Sequence, residues 1–188
     1  DTAKRLENIG VISTAYEGTF DDKDTGGTIH PGTKVPVGNR MAATILAMVY
    51  GKTYYEGTDE YTGPVYEYME VEGNQSILHF SHIGDGLKIK DGDTALTGFK
   101  ISGDGTTFVD ATATIVGDTV VVTADSVTSP VAVQYAYVNT YAVTGAPDTL
   151  GSNLENSISQ PALPFLATLG DAEIHGAKAV DGKLQVEI

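Results

Sequence analysis

The sequence predicts a mainly β protein: an antiparallel β-sandwich of jelly-roll-like type, preceded by a strand–loop–helix unit of α/β character. Three observations predict it. β-branched and aromatic residues recur in short segments from Tyr61 to Tyr141. Turns rich in Gly, Asp and Asn separate those segments. The one stretch of strong helix formers lies upstream of them, over 37–49.

In chain order, Gly10-Val11-Ile12-Ser13-Thr14-Ala15-Tyr16 opens an apolar, β-prone strand over 10–19. A polar loop rich in Asp and Gly follows, from Phe20 to Val35. The helix carries Ala42, Ala43, Ile45, Leu46, Ala47, Met48 and Val49, with Pro36 suited to its first turn and Gly51 suited to its C-terminal stop. One strand cannot make a sheet, so this unit needs a partner.

Candidate strands then fall at 65–72, 76–82, 86–90, 96–102, 107–115, 119–124 and 131–138. The turns are Gly73-Asn74, Gly84-Asp85-Gly86, Asp91-Gly92-Asp93, Gly103-Asp104-Gly105 and Gly117-Asp118. Short strands at this spacing point to a sandwich. Residues 142–168 read as an extended tail rich in Pro, Asn and Ser. Residues 169–188 read as a new hairpin turning at Asp181-Gly182, the start of a further β module or a linker.

Composition narrows the partners. Hydrophobic residues make up 41% of the 188 and charged residues 19%, which suits a packed globular chain. The formal net charge of -14 repels phosphate backbones and anionic membranes, so neither nucleic acid nor a membrane is an expected partner. No run approaches a membrane-spanning length of about 18 apolar residues. With no cysteine, disulfides and thiolate metal sites are excluded. The first residues, Asp1 to Arg5, lack the apolar core of a signal peptide. An acidic, Cys-free chain rich in Gly and Thr accords with a secreted or extracytoplasmic, bacterial location.

Several ordered blocks carry a resemblance. Ile29-His30-Pro31-Gly32-Thr33-Lys34-Val35-Pro36-Val37-Gly38-Asn39-Arg40-Met41-Ala42 leads into a helix ending in Tyr50-Gly51. Gly63-Pro64-Val65-Tyr66, His82-Ile83-Gly84-Asp85-Gly86-Leu87 and Gly98-Phe99-Lys100-Ile101 follow. Val131-Ala132-Val133-Gln134-Tyr135-Ala136-Tyr137, Asn153-Leu154-Glu155-Asn156 and Pro164-Phe165 complete the series. Over roughly residues 10–168 the chain resembles the C-terminal portion of the sialate O-acetylesterases, carbohydrate esterases of the SGNH type. The resemblance implies three parts. Residues 1–58 would be the C-terminal end of an SGNH α/β hydrolase domain carrying the catalytic His, 59–168 a β-sandwich domain, and 169–188 the start of a further module or linker. It implies removal of acetyl groups from sugars by a serine nucleophile and a histidine base. His30 matches the catalytic histidine.

The chain departs from the family pattern in two ways that matter. Thr28 stands where the family places the acidic partner of the base. No Gly-Asp-Ser or Gly-Gln-Ser-Asn block is present to supply the nucleophile. Ester hydrolysis needs a nucleophile, a base, a group that orients the base, and an oxyanion hole. The resemblance thus implies activity that depends on a second chain or domain carrying the Ser, with an acetylated glycan as substrate and no cofactor. The other reading is a non-catalytic β-sandwich that binds carbohydrate or joins modules.

The remaining candidates have structural readings. His79 and His82 lie three apart on one expected strand and so face opposite ways, against a shared metal. His175 falls in the last hairpin. Asp22-Lys23-Asp24 and Asp91-Gly92-Asp93 have calcium-like spacing but lack a complete loop, so no metal is expected. Tyr54, Tyr55, Tyr61, Tyr66 and Tyr68 cluster near the junction, as core aromatics or as sugar contacts.

Overall fold

A computed structural model of the chain describes residues 9–14, 34–137, 152–169, 176–180 and 183–187. The helix α1 spans Val35–Tyr50, with Pro36 in its first turn. It stops where expected. Gly51 adopts a left-handed φ of 59°, and the N–H groups of Gly51 and Lys52 donate to the carbonyls of Ala47 and Leu46. Only a residue free of a Cβ takes that conformation at little cost.

Among the described residues twelve strands follow: β1 Val65–Glu72, β2 Gln75–Ser81, β3 Leu87–Ile89, β4 Phe99–Ser102, β5 Val109–Asp110, β6 Thr112–Val116, β7 Thr119–Thr123, β8 Ala132–Tyr135, β9 Leu154–Asn156, β10 Phe165–Thr168, β11 Gly176–Val180 and β12 Lys183–Glu187. Two four-stranded antiparallel sheets, ordered β1-β2-β7-β6 and β10-β8-β4-β5, form the sandwich. The mainly β, antiparallel fold is thus the one the sequence predicts.

Alternation explains the first sheet. Ser76 and Leu78 of β2 and Val120 and Val122 of β7 point inward and are buried, while the residues between them face outward. A register shift between Tyr66 and Tyr68 interrupts β1. It lets both Tyr66 and Met69 reach the core although they are three apart. The second sheet contributes Phe99, Ile101, Val133, Tyr135, Phe165 and Ala167 to the same core.

Three local expectations are corrected. Of the strand expected at 10–19, residues 10–14 are assigned to no strand, and 15–19 lie outside the described residues. The strand expected at 107–115 is broken at Ala111 into β5 and β6, each on a different sheet. The stretch 142–168 is no mere tail. β10 is a full member of the second sheet, pairing Phe165 with Tyr135, and β9 pairs with β3, Leu154 opposite Ile89. The expected final hairpin forms as β11 and β12.

Rings lock the two sheets together. Phe165 stacks on Tyr66 from the first sheet at 4.8 Å and on Tyr135 from the second at 5.5 Å. Phe80 and Phe99 close around it edge-on. Tyr135 also takes a hydrogen bond from the Leu154 N–H at 2.9 Å, tying β9 to the stack. Burial, opposed by that hydrogen bond, pushes the Tyr135 phenol up to about 12. The folded state thus holds this proton more tightly than the unfolded state, whose phenol titrates near pH ~10. Stability is full below that pH and falls as pH rises through the window towards 12, by up to roughly 1.4 kcal/mol per unit. Tyr135→Phe is expected to cost about 1–3 kcal/mol at neutral pH, by stranding the Leu154 N–H, and to abolish this alkaline loss. Urea unfolding at neutral and alkaline pH checks both.

Candidate functional site

Helix α1 packs in an unusual way. It buries Arg40, Ala43 and Thr44. Most of its large apolar side chains are exposed instead: Met41 by 50%, Ile45 by 48% and Met48 by 41%, spaced along one face, with Val35 and Val49 also exposed, while Val37 and Leu46 are half-buried. A helix in a finished core does the reverse. An apolar face of this kind marks an interaction surface. Residues 9–14 cover the inner side of the helix. An ideal Cβ at Gly10 would press on Met48 Sδ and on Thr44, so the absence of a side chain permits this contact. Arg40 Nη1 donates to the Ser13 carbonyl at 2.8 Å, and Thr44 closes back on the Arg40 carbonyl at 3.0 Å.

A narrow cleft joins this unit to the sandwich, with Ile12, Ser13 and Arg40 on one side and Tyr61, Thr62, Gly63, Gln160 and Pro161 on the other. It leaves no room for a water molecule. Gly63 lies directly against the Pro161 carbonyl, where any Cβ would collide.

Beside the cleft is a polar cluster. His82 follows the end of β2 with a left-handed φ of 57°. Such a backbone is uncommon for a residue other than glycine and is held only by its surroundings. Here Asn156 of β9 holds it. Its Nδ2 donates to the His82 carbonyl at 2.8 Å and to the Thr62 carbonyl at 2.9 Å, and its Oδ1 accepts the Gln160 N–H at 3.0 Å. Glu60 Oε2 lies 2.8 Å from His82 Nδ1, and its Oε1 accepts the Gly84 N–H at 3.1 Å. The Tyr61 ring meets the His82 ring edge-on at 4.8 Å.

The expected site residues distribute unevenly. His30, Thr28, Asp22, Asp24 and His175 lie outside the described residues. His79 faces outward on β2, stacked on Tyr68 at 4.1 Å and 3.2 Å from Glu70. Asp91 lies 3.4 Å from Lys88 Nζ, and Asp93 accepts from Asn153, so both carboxylates serve their turns. Among the described residues no group of three or more metal-binding side chains comes together. No described helix is long and apolar enough to cross a membrane. Tyr66 is core, whereas Tyr61 joins the polar cluster. The sequence reading missed Glu60. It stands 22 residues from His82 with no periodicity linking them.

Glu155 is buried in the same β9 strand, 3.7 Å from Lys88 Nζ. Burial holds its carboxyl above the usual range, and the Lys88 charge opposes that.

No family model matches the chain, and no curated protein matches it. A solved structure does: a carbohydrate acetylesterase from Xanthomonas citri, 33% identical, with a TM-score of 0.63 over 76% of this chain. The chain is related to a portion of a carbohydrate esterase. It spans 30% of the length of that protein.

The Gly63 contact separates close packing from ordinary glycine cost. Gly63→Ala is expected to destabilise by about 2–3 kcal/mol, because backbone must move. Gly38→Ala, in the helix with open space around it, is expected to stabilise by up to about 1 kcal/mol. Urea midpoints of the two variants check this.

Proposed function

We propose that this chain is the C-terminal portion of a carbohydrate O-acetylesterase of the sialate O-acetylesterase type. Acetyl groups leave sugars by Ser/His hydrolysis once the Ser-bearing portion completes the site. The observation that carries the reading is the 33% identity to a carbohydrate acetylesterase of which the chain spans 30%. The exposed apolar face of α1 supports the second half of it. That face is what a helix presents when the rest of its domain is supplied from elsewhere.

In this reading residues 1–58 end the SGNH α/β hydrolase domain, 59–168 form the associated sandwich, and 169–188 begin a further module or linker. His30 acts as the base. Its Nε2 takes the proton of the serine hydroxyl as the oxygen attacks the acetyl carbonyl, then returns it to the departing sugar oxygen. Water repeats the cycle on the acyl-enzyme and releases acetate. The substrate is an acetylated glycan, and the location is secreted or extracytoplasmic in a bacterium. One observation favours the other reading, a non-catalytic carbohydrate-binding sandwich: the two sheets close a continuous hydrophobic core of their own.

Hydrolysis of a chromogenic acetate ester tests the assignment. The chain alone is expected to be inactive. Supplied with the Ser-bearing portion, it is expected to hydrolyse the ester, and His30→Ala is expected to reduce that rate by at least about 100-fold. Activity of the chain alone that survives His30→Ala overturns the proposal. Inactivity in the completed protein leaves the binding-module reading.

A further inference from the structure

The Glu60–His82–Tyr61 cluster has the form of a recognition site. A carboxylate only accepts hydrogen bonds, so the 2.8 Å contact places the shared proton on His82 Nδ1. In the neutral ring Nε2 is then left as an acceptor, and among the described residues no hydrogen bond engages it. The ring is about 29% exposed. Its backbone is pinned by Asn156, its orientation by Glu60, and one side of the ring by Tyr61. Three restraints on one partly exposed imidazole, together with a left-handed φ, exceed what a turn needs.

Among the described residues, this cluster contains no nucleophile for acyl transfer. A histidine held by a carboxylate resembles a hydrolase base, but the nearby Ser157 hydroxyl instead accepts the Asp85 N–H at 3.0 Å. No described hydroxyl reaches Nε2. The arrangement suits a hydroxyl donor brought by a ligand. Tyr61 also lines the cleft with Ser13 and Arg40, so the cluster lies on the side of the sandwich that meets the helix unit.

We propose that His82 and Tyr61 form a glycan subsite, with His82 Nε2 accepting a hydrogen bond from a hydroxyl of an uncharged sugar unit and the Tyr61 ring beside that sugar. The choice of an uncharged sugar follows from the surroundings. Asp59, Glu60 and Asp85 adjoin the site and the chain carries a net charge of -14, which opposes a carboxylated sugar. The ligand class rests on the esterase reading. The test is separate from it, because a small acetate ester needs no sugar contact.

The experiment titrates the 15N-labelled chain with a partially O-acetylated β-glucose hexasaccharide and, in parallel, with an O-acetylated sialyl trisaccharide. Imidazole nitrogen resonances and calorimetric affinities are read. His82→Asn is the chosen variant, because Asn tolerates the left-handed backbone. The hexasaccharide is expected to shift the His82 Nε2 resonance. Its affinity is expected to fall about tenfold in His82→Asn and about threefold in Glu60→Gln, the loss of one oriented hydrogen bond. The sialyl probe is expected to bind more weakly. Hexasaccharide binding that leaves the Nε2 resonance and the His82→Asn affinity unchanged overturns the subsite while leaving the esterase reading intact. Failure of the folded chain to bind either probe also overturns it. Tighter binding of the sialyl probe overturns the uncharged class.

Discussion

The aromatic stack around Phe165 is the contact on which the rest of the structure depends. It is the place where side chains from both sheets share one set of faces and edges: Tyr66 and Phe80 from one, Phe99, Tyr135 and Phe165 from the other. The dependence runs outward from there. Tyr135 accepts the Leu154 N–H, which seats β9. β9 carries Asn156, and Asn156 holds the carbonyls of Thr62 and His82. The geometry of the polar cluster is therefore inherited from the core through one strand of three buried residues.

The helix unit obeys a different rule. Where the sandwich buries its large apolar side chains, α1 buries Arg40, Ala43 and Thr44 and turns Met41, Ile45 and Met48 to solvent. The two parts meet through a cleft that is tight at Gly63 and polar around Arg40. A closed apolar core in the sandwich thus lies beside a helix whose apolar face is exposed.

The legible parts of the fold were those whose determinants are local. β1, β2, β6 and β7 announce themselves by alternation and by Gly-Asn and Gly-Asp turns, and α1 by its alanines, Pro36 and Gly51. β9 and β10 do not. Asn153, Glu155 and Asn156 are polar yet buried, so hydropathy places them at the surface. What buries them is hydrogen bonding to distant groups, such as Asn153 Oδ1 accepting the Thr97 N–H. β10 is four residues long behind a proline, and its partner lies 30 positions upstream, from Phe165 to Tyr135. The candidate site divides the same way. His82 belongs to a recognisable block, but its partner Glu60 is found only once the chain is folded. Resemblance supplied His30, which no local pattern would have singled out.

The position of Phe165 in the chain has a consequence for biosynthesis. A ribosome delivers α1 and seven of the eight sandwich strands before it delivers β10. Until then the second sheet lacks its edge and the aromatic stack lacks its centre. Until β10 is made the sandwich core thus stays open, the interval in which folding helpers act and in which neighbouring nascent chains can stick.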